Sequence, residues 1–258
     1  MNVVGVIPAH LASIRFPRKI LFDIHSLPMI EHVRRRALLC EELDDVIVAT
    51  CDVEIENAIK SYGGKVIMTS NIHKNGTSRV AEAIKDYNCT HLLLLQGDEP
   101  LLLPRHIRDI VGAMKSSPDV LSWNATGLIN SEDELERHSF VKCSVLKNNK
   151  ILNCFRKTPY VSSLKTQQNF VRKILGIIGY RKDFLLDLNK LDNTSIELSE
   201  SIEQMRIIES EFSLHSVDVS PSLPSINEPH EVNIVLDYLK NNEEQQILLK
   251  QILSYDQG

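Results

Sequence analysis

The chain has 258 residues, 24% of them charged, and a formal net charge of −5. That length suits one large α/β domain whose core needs no disulfide or structural metal, and the mild negative balance excludes a general attraction to nucleic acid or an anionic membrane. The five cysteines (Cys40, Cys51, Cys89, Cys143 and Cys154) are odd in number and contain no C-x-x-C pair, which excludes a disulfide framework or zinc site and fits a reducing, cytoplasmic setting.

Residues 3–8 (VVGVIP) are apolar but few, with no basic leader and no small-residue cleavage site, so they read as a strand and not as a signal peptide. Residues 46–50 (VIVAT), 66–68 and 91–96 (HLLLLQ) are further short runs of Val, Ile and Leu without polar alternation, the pattern of buried strands. Helix candidates lie between them at 28–39, 53–62 and 78–87. Asp52 is placed to cap the second, and Gly63-Gly64 to end it. Such alternation predicts parallel pairing with helices on both faces, and ligands at the carboxyl ends of the strands. The loops that follow Pro8, Thr50, Met68 and Gln96 are therefore the ones to watch.

The second half changes character. Residues 120–129, 141–146 and 151–155 read as strands joined by polar turns, with Asn148-Asn149 as a hairpin turn. Residues 175–180 (LGIIGY) form another apolar run, 199–210 and 228–239 read as helices, and so does the tail to Gln257. The polar stretch 160–169 reads as a mobile loop. No run of about 18 apolar residues is present, so no membrane partner is expected. The expected organisation is a single domain, 1–258, with a nucleotide-binding half at 1–115 and a half at 116–258 for sugar binding and dimerisation.

Two loops carry the chemistry. The first follows strand one and runs through Ala9, His10, Arg15, Arg18 and Lys19. Backbone N–H groups and several cations at a strand end suit a triphosphate, with arginine as a fork and lysine as a point charge; a solvated basic loop is the bland alternative. The second is Gln96-Gly97-Asp98-Glu99-Pro100, where carboxylates beside a glycine suit Mg²⁺ shared with substrate phosphates. These acids also read as an N-cap and first-turn acid ahead of a helix from Pro104.

The order I-P-A-x-x-x-S-x-R-x-P-x-K, followed about eighty residues later by Q-G-D-E-P, resembles the 3-deoxy-manno-octulosonate cytidylyltransferases, the CMP-Kdo synthetases. The likeness extends through Pro28-Met29-Ile30-Glu31-His32-Val33, the stretch from Val46 to Asp52, Gly63-Gly64-Lys65-Val66, and His73 to Arg79. It continues at Arg156, the run from Leu175 to Arg181, and Ser201 to Arg206. The resemblance implies a glycosyltransferase-A-like, Rossmann-like α/β fold: a mostly parallel sheet flanked by helices, with a smaller β-rich lobe for dimerisation and sugar binding. It implies a homodimer and a Mg²⁺-dependent reaction of CTP with an acidic sugar, Kdo or a close analogue, giving CMP-sugar and pyrophosphate for lipopolysaccharide or another surface glycan. Carried onto this chain, it points to Arg15 and Lys19 around the triphosphate and to Thr77, Ser78 and Arg79 at the nucleoside. Gln96 would lie near the nucleotide, Asp98 would hold the metal, and Arg156, Glu203 and Gln204 would face the sugar acid.

Four positions depart from that pattern. His10 stands where the family has arginine and Arg18 where it has glycine, so Arg18 is expected to supply part of the missing charge. Asn227 replaces the aspartate that is the second metal ligand, and Ile174 replaces a histidine near the sugar. With Arg15, Lys19 and Asp98 retained, a related sugar acid (an amino-substituted Kdo or a nonulosonic acid) is favoured over lost activity. The basic run His32, Arg34, Arg35 and Arg36 reads as a solvated helix face, His73 as a surface loop residue, and Trp123 as core or dimer interface. No base accompanies Cys51 or Cys154, so neither is expected to be a nucleophile. The chain lacks G-x-G-x-x-G and G-x-x-x-x-G-K-[ST], which excludes a dinucleotide oxidoreductase and a P-loop phosphotransferase. A catalytically silent nucleotide-binding module remains the rival reading.

Overall fold

The unbroken apolar run at the start of the chain forms strand β1 (Val3–Ala9), buried along its whole length. This is what a strand needs when covered on both faces. In the computed structural model, which describes residues 1–255, β1 belongs to a unit made of Met1–Arg108 together with the chain from Leu223 onward. A small hairpin, β2 (Asp23–Ile24) with β3 (Leu27–Pro28), precedes helix α1 (Met29–Leu38). Then β4 (Asp45–Thr50), α2 (Val53–Ser61), β5 (Lys65–Met68), α3 (Gly76–Ile84) and β6 (His91–Leu95) alternate as expected, followed by α4 (Pro104–Ser116). The four long strands pair in the order β6-β1-β4-β5, all parallel. The N–H groups of Gly63 and Gly64 reach back to Lys60 O and Ile59 O and end α2 where the glycine pair predicts.

Helix α1 overturns one expectation. Its basic run is not a solvated face, because Glu31, His32, Arg34 and Arg36 are all but fully buried. Two of the arginines share one buried carboxylate, while Arg36 has only a carbonyl, its Nε and Nη2 being buried without a hydrogen-bond partner among the described residues. The Glu31 carboxylate accepts from Arg34 Nε and Nη2 at 2.6 and 2.9 Å and from Arg35 Nε at 3.1 Å. Arg35 also donates to Ile252 O at 2.6 Å and lies over the rings of Tyr62 and Tyr255. Arg36 donates to Leu102 O at 3.3 Å, and His32 Nε2 lies 2.7 Å from Ile24 O. Burial pushes the His32 imidazole down to about 4 and pulls the Arg36 guanidinium below its ordinary range. A cation on an apolar-flanked helix goes inside only when acceptors wait for it, and here one is the local Glu31 carboxylate and the others are carbonyls distant in sequence, Tyr62 O, Ile252 O and Leu102 O.

The second unit, Asp109–Ser222, is β-rich. Its elements are β7 (Ser122–Gly127), α5 (Glu132–Glu136), β8 (Lys142–Val145), β9 (Ile151–Phe155), α6 (Leu164–Gln167), β10 (Val171–Arg181), α7 (Lys182–Leu188), α8 (Ser195–Glu200), α9 (Gln204–Glu209) and β11 (Leu214–Asp218). Strand β10 pairs antiparallel with β7 and β8, β8 with β9, while β11 runs parallel to β7. Asn149, at φ 64°, turns the β8–β9 hairpin as its sequence suggests, and Trp123 is core, 1% exposed.

Two readings of this half need correction. Residues 160–169 are not a plain loop: they contain α6, with the Tyr160 ring packed edge-on between Phe155 and Phe170 and Gln167 buried and bonded to Thr158 and to Ser162 O. The helix expected at 199–210 is broken, since Ser201 turns left-handed (φ 53°) between α8 and α9. The break lets Arg206 fold back to make two bonds to Glu197, at 2.8 and 2.5 Å, while the Glu209 carboxylate caps the N–H groups of Ile196 and Glu197. Sequence periodicity does not see such long-range acceptors.

Chain order ends with α10 (Glu231–Asn241) and α11 (Glu243–Leu253) in the first unit. The helix expected from residue 228 starts later because the Glu231 carboxylate takes the N–H groups of Asn227 and Glu228, at 2.6 and 3.0 Å. Gln257, the expected end of the tail helix, lies outside the described residues. All five cysteines are free, and among the described residues no helix is long and apolar enough to cross a membrane.

Candidate active site

Parallel registration sets the site. Ala9 pairs with Thr50, Thr50 with Met68, and Val6 with Leu94, so the loops after these strands emerge at one edge of the first unit's sheet. The basic loop after β1 is closed at its neck on Leu11: Arg18 N–H donates to Leu11 O at 3.1 Å, and Leu11 N–H donates to Asp52 Oδ2 at 2.9 Å. Asp52 therefore does not cap α2 with its side chain, contrary to expectation; its carboxylate is spent on the loop.

Past the neck, Lys19 opens a single 3-10 turn (Lys19–Leu21) and is 11% exposed in its side chain. Its ammonium lies 2.6 Å from Asp98 Oδ2 and donates to Ile226 O at 3.1 Å, and Ile226 N–H in turn donates to Asp98 O at 3.0 Å. Arg15 reaches the same returning segment: its Nη2 donates to Asn227 Oδ1 at 3.2 Å, and its Nη1 lies 3.9 Å from Glu228. Asn227 is held in orientation by its own Nδ2, which donates to Ser225 Oγ at 3.0 Å. Three segments far apart in sequence thus converge, joining residues 79 positions apart in the Lys19–Asp98 pair. Partial burial makes that pair stronger than an ion pair in open water. The backbone at Gly97 is closely approached: a β-carbon there would stand 3.1 Å from Ile20 Cδ1, which would have to give by a few tenths of an ångström, and in ordinary contact, 3.5 Å, with Pro8 O. Gly76 meets Pro8 in the same way, at 3.1 Å, and so brings the start of α3 against the end of β1.

The remaining expected nucleotide residues take varied places. Ala9 is the buried last residue of β1. His10 sits at the surface of the loop; partial desolvation, then the charge of Arg79, lower its imidazole pKa, while Asp52 and Asp98 oppose this. Arg18, left-handed at φ 62°, pairs its guanidinium with the Glu54 carboxylate, so its charge is committed to α2. Thr77 and Ser78 lie in the first turn of α3, where Asn75 Oδ1 caps Ser78 N–H at 2.9 Å. Arg79 is buried and donates to Thr69 Oγ1 at 2.7 Å and Ser70 O at 3.4 Å, tying down the loop between β5 and α3. Gln96 is half-buried immediately before Gly97.

The expected sugar residues all lie in the second unit. Arg156 donates to Glu200 O, Ser201 O and His138 O at 2.8, 3.1 and 3.2 Å, and so braces the left-handed turn that leads into α9. Glu203 precedes that helix and Gln204 begins it, with Gln204 Nε2 donating to Asn124 Oδ1 at 3.0 Å. Sequence reasoning missed Asp52, Glu54, Glu228 and Glu231 as partners of the basic loop and its counter-segment. Only Asp52 carried a signal, because it follows a strand's carboxyl end; the other three are ordinary helix-terminal acids.

Among the described residues no group of three or more His, Cys, Asp or Glu side chains could hold a metal ion. Of the residues expected to hold a metal, Asp98 offers a carboxylate and Asn227 an amide oxygen, and the Ile226–Asp98 backbone bond joins their two segments. Such a short set of hard oxygen donors fits Mg²⁺, which keeps several waters and takes its other ligands from substrate phosphates. Chemically, the arrangement can neutralise a polyphosphate with Arg15 and Lys19 while Asp98 shares a divalent cation with it.

Residues 4–216 match the family model described as cytidylyltransferase. The chain is 31% identical over 255 residues to the 3-deoxy-manno-octulosonate cytidylyltransferase of Geobacter sulfurreducens, covering 93% of this chain and all of that one. It is 34% identical over 238 residues to the 8-amino-3,8-dideoxy-manno-octulosonate cytidylyltransferase of Shewanella pealeana, covering 91% and 97%. A solved structure of CMP:2-keto-3-deoxy-manno-octonic acid synthetase complexed with CTP superposes with a TM-score of 0.87 at 32% identity, over 93% of this chain and 99% of that one.

Proposed function

Given that the chain belongs to the cytidylyltransferase family, we propose that it activates an acidic octulosonate sugar, Kdo or its 8-amino analogue, by transferring CMP from CTP with release of pyrophosphate. The observation that carries this reading is the Lys19–Asp98 pair at 2.6 Å, with Arg15 on Asn227 beside it. It joins the basic loop to the acid of Q-G-D-E-P and supports a single metal–triphosphate site.

In the reaction, the anomeric hydroxyl oxygen of the sugar attacks the α-phosphorus as the bond to pyrophosphate breaks. The chain supplies little covalent chemistry. Positioning and charge neutralisation do the rest. Lys19 and Arg15 hold the triphosphate and offset the charge that grows on the leaving pyrophosphate. Thr77, Ser78 and Gln96 lie on the loops that would flank the nucleoside. Asp98, with Asn227, would hold Mg²⁺, which when bound neutralises phosphate charge. Arg156, Glu203 and Gln204 are assigned to the sugar side; Arg156, already spent on three carbonyls, acts there by bracing the turn that presents Glu203 and Gln204. The proposal extends to a homodimer with the nucleotide handled by 1–115 together with the returning segment that carries Asn227, and the sugar and dimer contacts by the rest of 116–258, in a cytoplasmic setting that five cysteines outside any disulfide favour.

The test is pyrophosphate release from CTP with Kdo, 8-amino-Kdo and a nonulosonic acid, each with and without Mg²⁺. Release with an octulosonate and Mg²⁺ is expected. Release only with the nonulosonic acid would overturn the substrate assignment, and tight CTP binding without release from any sugar would identify a silent nucleotide-binding module.

A further inference from the structure

The turn that leads from β4 into α2 grips the basic loop on both sides of its neck. An aspartate at a helix N-cap ordinarily accepts an N–H from the first turn of its own helix. Asp52 occupies that position for α2 and makes no such bond. Its Oδ2 instead accepts Leu11 N–H from a loop 41 residues away, at 2.9 Å, and its own N–H is held by Thr50 Oγ1 at 3.1 Å. Two residues on, the Glu54 carboxylate pairs with the guanidinium of Arg18, whose N–H closes the neck on Leu11 O. Both backbone groups of Leu11 are therefore occupied, one by Asp52 and the other by Arg18. The chain between these anchors carries Arg15, and Lys19 follows them directly. Arg18 holds a left-handed φ of 62° at the same place, a conformation disfavoured for a side-chain-bearing residue and kept only where its surroundings fix it.

On this geometry, and resting on the nucleotide site proposed above, we infer that Asp52 is a positioning residue for the triphosphate-binding loop, acting through Leu11 N–H and touching no substrate. The role needs a hydrogen-bond acceptor and not a charge, since the partner is a neutral amide. Pre-setting the neck spares the nucleotide the ordering of a flexible loop, a saving that appears in nucleotide affinity more than in turnover once the nucleotide is bound.

The experiment compares wild type, Asp52→Asn and Asp52→Ala by CTP titration in a calorimeter, by steady-state kinetics, and by hydrogen exchange of the peptide containing Leu11. Asp52→Ala is expected to weaken CTP binding and raise KM for CTP about tenfold, with kcat within about threefold of wild type and Leu11 exchange accelerated. A tenfold change corresponds to about 1.4 kcal/mol, within the range for losing one such side-chain acceptor. Asp52→Asn, whose amide oxygen accepts the same bond, should restore affinity to within about threefold and restore Leu11 protection. Equal CTP affinity in wild type and Asp52→Ala overturns the inference, as does an Asn variant as impaired as the Ala variant. Wild type that binds no CTP overturns the nucleotide site itself and this role with it. Leu11 exchange, which needs no ligand, separates a wrong clamp from a wrong substrate.

Discussion

Lys19 and Asp98 form the centre on which the electrostatics of the site turn, because each is partly desolvated and each has the other as its nearest opposite charge. Replacing Lys19 with alanine leaves the Asp98 carboxylate without its cation and, under the proposed function, removes a donor to the polyphosphate. Loss of one preorganised donor of this kind costs about 10²–10³ in rate, so kcat/KM for CTP should fall by that factor in a pyrophosphate-release assay. A fall below tenfold would remove Lys19 from the machinery. The convergence of these two residues and Arg15 was expected from the sequence, where both loops follow buried strands, although each loop also admitted a plain structural reading as a solvated turn or a helix cap. Asp52 was readable only in position. Its residue type fits a helix cap equally well, and nothing local to residues 50–56 reveals that the amide it serves lies at Leu11.

Helix α1 teaches the same lesson at the scale of an element. Its period and boundaries follow from sequence, and the helix appears where expected, within a residue or so. Its environment does not follow. Four basic residues within five positions suggest solvent, yet Glu31 is fully buried between two arginines, one of which ties the helix to α11 through Ile252 O. Removing one member of a buried ionic cluster strands the others, at a cost of about 3–5 kcal/mol. Glu31→Ala should accordingly lower the melting temperature by about 10 °C for a chain of this size. A drop under 2 °C by calorimetry would mean that water or rearrangement replaces the carboxylate. The split between α8 and α9 has a related cause: Arg206 and Glu209 find their partners nine or more residues back, and a window-based reading joins the two helices into one.

Across the molecule, the pH response of stability should carry the mark of His32. Its imidazole has a pKa of about 4 in the folded chain against 6.5 in the unfolded one. The unfolded state therefore binds the proton first as pH falls. The stabilisation is fully present above about pH 6.5 and is lost progressively as pH drops toward 4, amounting to about 2 kcal/mol between pH 7 and pH 5. Urea unfolding at those two pH values, in wild type and His32→Gln, isolates the contribution. The loss should shrink by about that amount in the variant, and an unchanged loss would show that other groups dominate. Alternation of short apolar runs with amphipathic segments determined the α/β class of this protein and the parallel pairing in its first unit, because these follow from periodicity and handedness, which are local properties; the strand order β6-β1-β4-β5 came only with the structure. What only the tertiary structure decided was which distant acceptor each cation meets: Asp98 for Lys19, Asn227 for Arg15, Glu54 for Arg18, Ile252 O for Arg35 and Leu102 O for Arg36. A charge declares its type in the sequence, but its partner depends on which distant segment the closed chain brings within about 3 Å, and hydrogen-bond distance is set by folding and not by spacing along the chain.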